Sequence, residues 1–268
     1  MKTPVLLFVA LVALTGVAMA GPTSPLYLTF LYDLNDYDIY VVQGNSIIRT
    51  FPEAYNAPLE APIAVYGDVR TTAYYAGGAG GQYTLSGTPT GTSYVLPSVI
   101  STGGAYDSTS DGSHNYLVDL STGWVYETAR DYTNPVALFN AGTANDLGIT
   151  YDRRNNSLWI SGWNNTMVQD YSLNGTLLSS FSTGHFDNAA LALDPADHTL
   201  WLVDDYFHNN NYGGYLEQYS TAGALLSVGP YVGYTLGGEF NTPEPGTLIL
   251  FGSGALGLAG LLRRKIKL

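Results

Sequence analysis

Asp146–Phe181 reads DLGITYDRRNNSLWISGWNNTMVQDYSLNGTLLSSF, and Asn188–Val228 reads NAALALDPADHTLWLVDDYFHNNNYGGYLEQYSTAGALLSV; the second can be laid on the first. Asp152 then falls on Asp194, Leu158-Trp159 on Leu200-Trp201, Gln169-Asp170-Tyr171-Ser172 on Glu217-Gln218-Tyr219-Ser220, and Leu177-Leu178-Ser179 on Leu225-Leu226-Ser227. In the first unit four short apolar runs, Gly148–Asp152, Ser157–Gly162, Thr166–Ser172 and Leu177–Ser182, are separated by Asn, Gly and Asp clusters that favour turns. Four strands repeating at a pitch of about 40 residues predict the blade of a β-propeller. Trp159 and Trp201 occupy equivalent points of the unit and are expected to pack between blades.

Weaker copies precede these two. Ile63–Asp68, Thr71–Ala76, Gln82–Ser86 and Ser93–Pro97 form one set, with Gly77–Gly81 read as a hairpin turn. Gly103–Asp107, Asn115–Leu120, Trp124–Ala129 and Val136–Asn140 form another. Upstream of both, Leu26–Leu31, Asp38–Gln43 and Ser46–Phe51 supply three strands of a blade that lacks its innermost one. Leu236–Asn241 looks like Leu147–Asp152 and is the expected donor, closing the ring and covering two strand edges that would otherwise invite association. The expectation is an all-β propeller of five four-stranded blades, or six if the N-terminal runs belong to a complete blade of their own.

Composition agrees with a β protein and narrows its partners. The chain has 22 tyrosines, 31 glycines and no cysteine, so neither disulfides nor thiolate ligands are available. Between Gly21 and Leu262 five arginines stand against 22 acidic residues, leaving a formal charge of −17 on that stretch. Such a surface repels nucleic acid and attracts divalent cations and basic partners. Nucleic-acid binding is excluded.

Both ends carry addresses rather than fold. After Lys2 comes the apolar stretch Val5–Val17 and then Ala18-Met19-Ala20, an A-x-A cleavage pattern. Residues 1–20 are read as a signal peptide cut by signal peptidase, with Gly21 as the first mature residue. At the other end stand Pro243-Glu244-Pro245, an uncharged run from Gly246 to Leu262, and then Arg263, Arg264, Lys265 and Lys267 before the terminal Leu268. As a helix the 17 residues 246–262 would reach about 25 Å, a short membrane span. The basic cluster 263–268 holds its end in the cytoplasm. The two prolines keep the approach extended, as suits a peptide presented to a protease. Tripeptide, span and basic cluster in this order resemble the PEP-CTERM sorting signal of Gram-negative bacteria, read by a membrane-embedded exosortase. The resemblance covers residues 242–268 and implies an exported precursor, anchored in the inner membrane through its C-terminal helix and then moved to the cell surface or extracellular matrix. The family is associated with exopolysaccharide producers. The ectodomain is then 21–241.

Catalytic signals are sparse. His114, His185, His198 and His208 are scattered without ligand-pair spacing, and no P-loop or G-x-S-x-G elbow occurs. Asn145-Asp146 and Asp187-Asn188 precede innermost strands, at what would be the channel rim. There, sugar lactonases and related propeller enzymes hold a divalent cation through Asp, Asn and Glu oxygens. Turn-forming chemistry is the competing reading of all four. Asp33, Asp36 and Asp38, with Asp204 and Asp205 in the equivalent loop of the last blade, form a second acidic set, a candidate for Ca2+ without EF-hand spacing. Tyrosines together with Trp124 and Trp163 suit stacking against sugar rings. The leading expectation is a non-enzymatic surface or matrix protein associated with exopolysaccharide and needing no cofactor. The alternative is a metal-dependent propeller hydrolase or lactonase at the channel mouth.

Overall fold

Each repeat becomes one four-stranded antiparallel sheet, and five such sheets form a ring in the computed structural model, which describes residues 21–30, 38–55, 60–100, 103–142, 145–204 and 214–242. From inner to outer strand, the first blade is β20 (Thr235–Phe240), β1 (Leu26–Phe30), β2 (Asp38–Gln43) and β3 (Ser46–Pro52). The second is β4 (Glu60–Val65), β5 (Val69–Ala73), β6 (Ala79–Tyr83) and β7 (Pro89–Val95). The third is β8 (Ser108–Ser110), β9 (His114–Val118), β10 (Trp124–Ala129) and β11 (Val136–Asn140). The fourth is β12 (Asp146–Asp152), β13 (Ser157–Gly162), β14 (Met167–Ser172) and β15 (Leu177–Ser182). The fifth is β16 (Asn188–Leu193), β17 (Leu200–Asp204), β18 (Tyr215–Tyr219) and β19 (Leu225–Tyr231). The count is five, and the ring closes as expected: β20 pairs antiparallel with β1, setting Leu26 against Phe240 and Leu28 against Gly238. The signal peptide, the sorting tripeptide, the apolar span and the basic cluster lie outside the described residues.

Alternation of side chains places the core between blades. Trp201 is 1 % exposed and packs with Leu26, Leu28, Val203, Leu216 and Phe240, sealing the fifth blade to the first. Trp159 does the same between the fourth and fifth blades, among Leu191, Leu193, Leu200, Leu202 and Tyr219. Each buried indole contributes on the order of 3 kcal/mol from apolar burial. Two expectations shift. Gly80 and Gly81 belong to β6 rather than to a turn, because a Cβ at Gly80 would lie 2.5 Å from Thr72 Cα and one at Gly81 2.2 Å from the Tyr55 ring. The inner strand of the third blade starts at Ser108, after the segment Gly103–Asp107 assigned to it from sequence.

Hydroxyls and carboxylates tie the inner strands together. Buried Asp107 accepts backbone N–H groups of Ser108 (2.9 Å), Ile149 (3.1 Å) and Gly238 (3.0 Å), from the third, fourth and first blades. Thr109 takes the N–H of Tyr151 (3.0 Å) and donates its own hydroxyl to Glu239. Thr150 takes the N–H of Leu193 (3.1 Å) and points its hydroxyl at the other Glu239 oxygen (3.5 Å). Inner-strand amides, which a propeller cannot pair between blades, are satisfied this way.

Antiparallel order fixes two faces. Connections from an outer strand to the next inner strand, and turns between second and third strands, share one face, called upper here. The remaining turns form the lower face. The first and last residues of the ring lie below: Ser24 Oγ donates to Asp194 (2.7 Å) in the β16–β17 turn, and Asn241 accepts from Gly67 N–H (3.1 Å) in the β4–β5 turn.

Candidate functional site

The upper rim is a chain of backbone hydrogen bonds from blade to blade. Ala105 N–H donates to Tyr74 O (2.9 Å), Leu120 N–H to Gly104 O (2.9 Å) and Asn145 N–H to Leu120 O (2.5 Å). Trp163 N–H then donates to Asn145 O (2.7 Å), and Asp187 N–H to Trp163 O (2.6 Å). The connectors into β8, β12 and β16 each contain a left-handed residue: Gly104, Asn145 and Asp187 have φ of 77°, 76° and 59°. Asn and Asp tolerate that conformation best among side-chain-bearing residues, so their recurrence before inner strands has a backbone cause.

Inside this rim lies a basin of about 230 Å³ lined by Tyr106, Leu120, Leu147, Trp163, Tyr234 and Leu236. Its floor comes from the inner strands themselves, with Ala61, Leu147, Ala189 and Leu236 from four blades buried together. Aromatic rings form the wall. Tyr106 stacks on Tyr74 at 5.0 Å with planes 12° apart, and Trp163 meets Tyr234 edge-on at 5.9 Å. Apolar floor, aromatic wall and open top make a seat for a ring-sized ligand presented face-on, smaller than the usual pocket for a drug-sized molecule.

Beside the basin, at the junction of the fourth and fifth blades, three titratable side chains meet. His185 comes from the β15–β16 connector, Asp204 ends β17 and Glu217 lies in β18. His185 Nε2 is 2.8 Å from Glu217 Oε2, and His185 Nδ1 is 3.6 Å from Asp204 Oδ1. Tyr219 donates its hydroxyl to Glu217 (2.7 Å). Burial alone would lower the pKa of His185, but the bond to Glu217 and the charges of Glu217 and Asp204 prevail and raise it. The Asp187 carboxyl is raised by burial and then by the charge of Asp204, so it borders the same corner.

The residues singled out from sequence are distributed as follows. Asn145 and Asp187 hold the rim through their backbones, and Trp163 bridges them. Asp146 and Asn188 open β12 and β16 and are buried; Asn188 Nδ2 donates to Asn165 O (3.3 Å) and His185 O (3.1 Å). Asp38 opens β2, and Asp204 joins the histidine cluster. Asp33, Asp36 and Asp205 lie outside the described residues. Trp163 is in the basin wall, whereas Trp124 is 40 % exposed at the start of β10. Sequence reasoning missed His185, Glu217, Tyr106 and Tyr234. The signal for the first two was present: laid on the preceding blade, His185, Asp204 and Glu217 replace Thr143, Gly162 and Gln169.

Comparison with known proteins adds an address and a fold. Residues 241–265 match the PEP-CTERM protein-sorting motif. The chain therefore carries this motif, which implies an exported, membrane-anchored precursor processed by an exosortase. A search of curated proteins finds no match. Among solved structures, a chain of a nidogen/laminin complex shares 14 % identity at a TM-score of 0.52, over 82 % of this chain and 98 % of that one. A protein of unknown function from Bacteroides thetaiotaomicron VPI-5482 shares 13 % identity at a TM-score of 0.53, over 85 % and 67 %. At such identities the likeness is one of fold alone.

Proposed function

We propose that this chain is a non-enzymatic binding protein of the cell surface or extracellular matrix, and that its upper basin holds a sugar ring of an exopolysaccharide. The observation that carries the reading is the basin itself. It is open, ring-sized and walled by Tyr106, Trp163 and Tyr234, and none of its lining residues is a carboxylate or an imidazole. A stacking platform needs aromatic faces; a hydrolase needs converging acids and bases in the pocket. The position of Thr242 supports the same reading. Thr242, the last described residue before the sorting tripeptide, lines a lower-face groove with Tyr151, Arg153, Arg154 and His198. Thr242 and the basin therefore lie on opposite faces of the ring.

The test is a pull-down of the purified protein with exopolysaccharide from an exosortase-bearing producer. Trp163→Ala and Tyr106→Ala should each weaken binding about tenfold, equivalent to about 1.4 kcal/mol. Trp124→Ala should leave it unchanged. Wild-type binding by Trp163→Ala, with the fold intact by circular dichroism, would contradict the assignment of the basin.

A further inference from the structure

We propose that His185, Asp204 and Glu217 form a binding site for a first-row divalent transition-metal ion of the Zn2+ type, at the upper junction of the fourth and fifth blades. The site is separate from the basin, and the proposal does not depend on what the basin binds.

Geometry carries the first part of the case. One ligand atom from each of the three residues lies within 4.8 Å of the other two. Metal–ligand bonds of about 2.0–2.2 Å in a tetrahedral shell hold neighbouring donors roughly 3.4 Å apart, so modest side-chain rotation closes the set. The three side chains are 11 %, 15 % and 14 % exposed, sheltered yet reachable from the rim. They come from three separate segments, so an ion would pin the connector to β17 and β18.

Donor type supplies the second part. Two carboxylates share one imidazole. One nitrogen and two oxygens suit Zn2+ or a neighbouring ion; Ca2+ seeks six to eight oxygens, typically at about 2.3–2.6 Å. The Tyr219 hydroxyl, bonded to Glu217, stands where an outer partner would orient a ligand carboxylate.

The third part is independent of both. Blades four and five are near copies, and in blade four the corresponding residues are Thr143, Gly162 and Gln169, of which none titrates. The three matching positions of blade five all carry metal-ligating types, and the fold brings them to one point.

The experiment is calorimetric titration of the untagged full-length chain, purified in mild detergent and stripped with EDTA, with Zn2+ and separately with Ca2+. We expect one Zn2+ per chain, bound at least tenfold more tightly than Ca2+. His185→Gln and Glu217→Gln should each weaken Zn2+ binding at least tenfold, while His114→Gln and His198→Gln retain it. Circular dichroism checks each fold, and Asp204→Asn, which keeps the side-chain volume, stands in for any variant that does not fold. No Zn2+ binding, binding undiminished in the ligand variants, or Ca2+ binding as tight as Zn2+ would each overturn the proposal.

Discussion

Gly237→Val should leave the protein unable to hold a closed ring. Gly237 lies in β20, the strand that the C-terminal end of the ectodomain lends to the first blade. A Cβ there would stand 2.2 Å from the Ala61 carbonyl oxygen, 2.9 Å from Thr29 Oγ1 and 3.0 Å from the Tyr106 carbonyl oxygen. Two of the three obstacles are backbone, which cannot swing aside. The Gly237 N–H also donates to Thr29 Oγ1 (3.0 Å), whose hydroxyl donates to Ala61 O (2.7 Å), so displacing the strand breaks the link between β1 and β4 as well. Overpacking costs typically 1–3 kcal/mol; against backbone, and at the pair that closes the ring, we expect about 3 kcal/mol or more from a total of roughly 5–15 kcal/mol. Limited proteolysis should cut Gly237→Val near its ends under conditions where wild type resists. Ile48→Ala, at an exposed site on the outer strand β3, is the neutral comparison. Equal resistance of Gly237→Val and wild type would mean that closure does not hold the ring together.

Stability should fall as pH rises from about 5 to 8.5. Burial pushes the Glu239 carboxyl from its ordinary 4.5 up to about 8, despite the hydrogen bonds from Thr109, Phe240 N–H and Thr150. The groups facing it are Asp107, whose own carboxyl burial raises, and Arg153, whose charge pulls Glu239 back down. Glu53, buried beside Glu60, is likewise raised to about 8. In the folded chain these acids keep their protons at neutral pH, whereas the unfolded chain releases them above about 4.5. The unfolded state therefore gains on the folded one through this window, and the stabilisation present below it is lost as pH passes 8. Each shift corresponds to roughly 2–5 kcal/mol at most, enough to lower the melting temperature by several degrees. Thermal unfolding at pH 5 and pH 8.5 measures the difference, and Glu239→Gln, which cannot ionise, should shrink it. A wild-type melting temperature that is equal or higher at pH 8.5 would refute the account of the buried acids.

Much of the architecture was legible because a propeller writes itself in sequence as a repeat. Trp159 and Trp201 marked the same strand of two blades, and Leu236–Asn241 showed the edge it would cover, since the residues packed there must suit the same environment. What the repeat conceals is difference. Placing Glu217 on Gln169 made a carboxylate look like part of the blade, when its departure from the copy was the informative fact. The histidine cluster is also tertiary, with partners 19 and 32 residues from His185, a separation no spacing rule covers. The third blade hid its inner strand for another reason: β8 has only three residues, too few to show alternation, and Asp107 before it serves the neighbouring blades. Gly80 and Gly81 misled because a glycine required for close packing reads like one required for a turn.

The central claim is that a self-closed propeller is carried out of the cytoplasm by its terminal signals. Mass spectrometry of the protein recovered from the cell exterior, from matched cells with and without exosortase, tests it most directly. The account predicts an ectodomain starting near Gly21 and lacking the segment from Gly246 onward when exosortase is present, with precursor retained in the membrane when it is absent. Intact Met1–Leu268 in the soluble cytoplasmic fraction of both strains would contradict it.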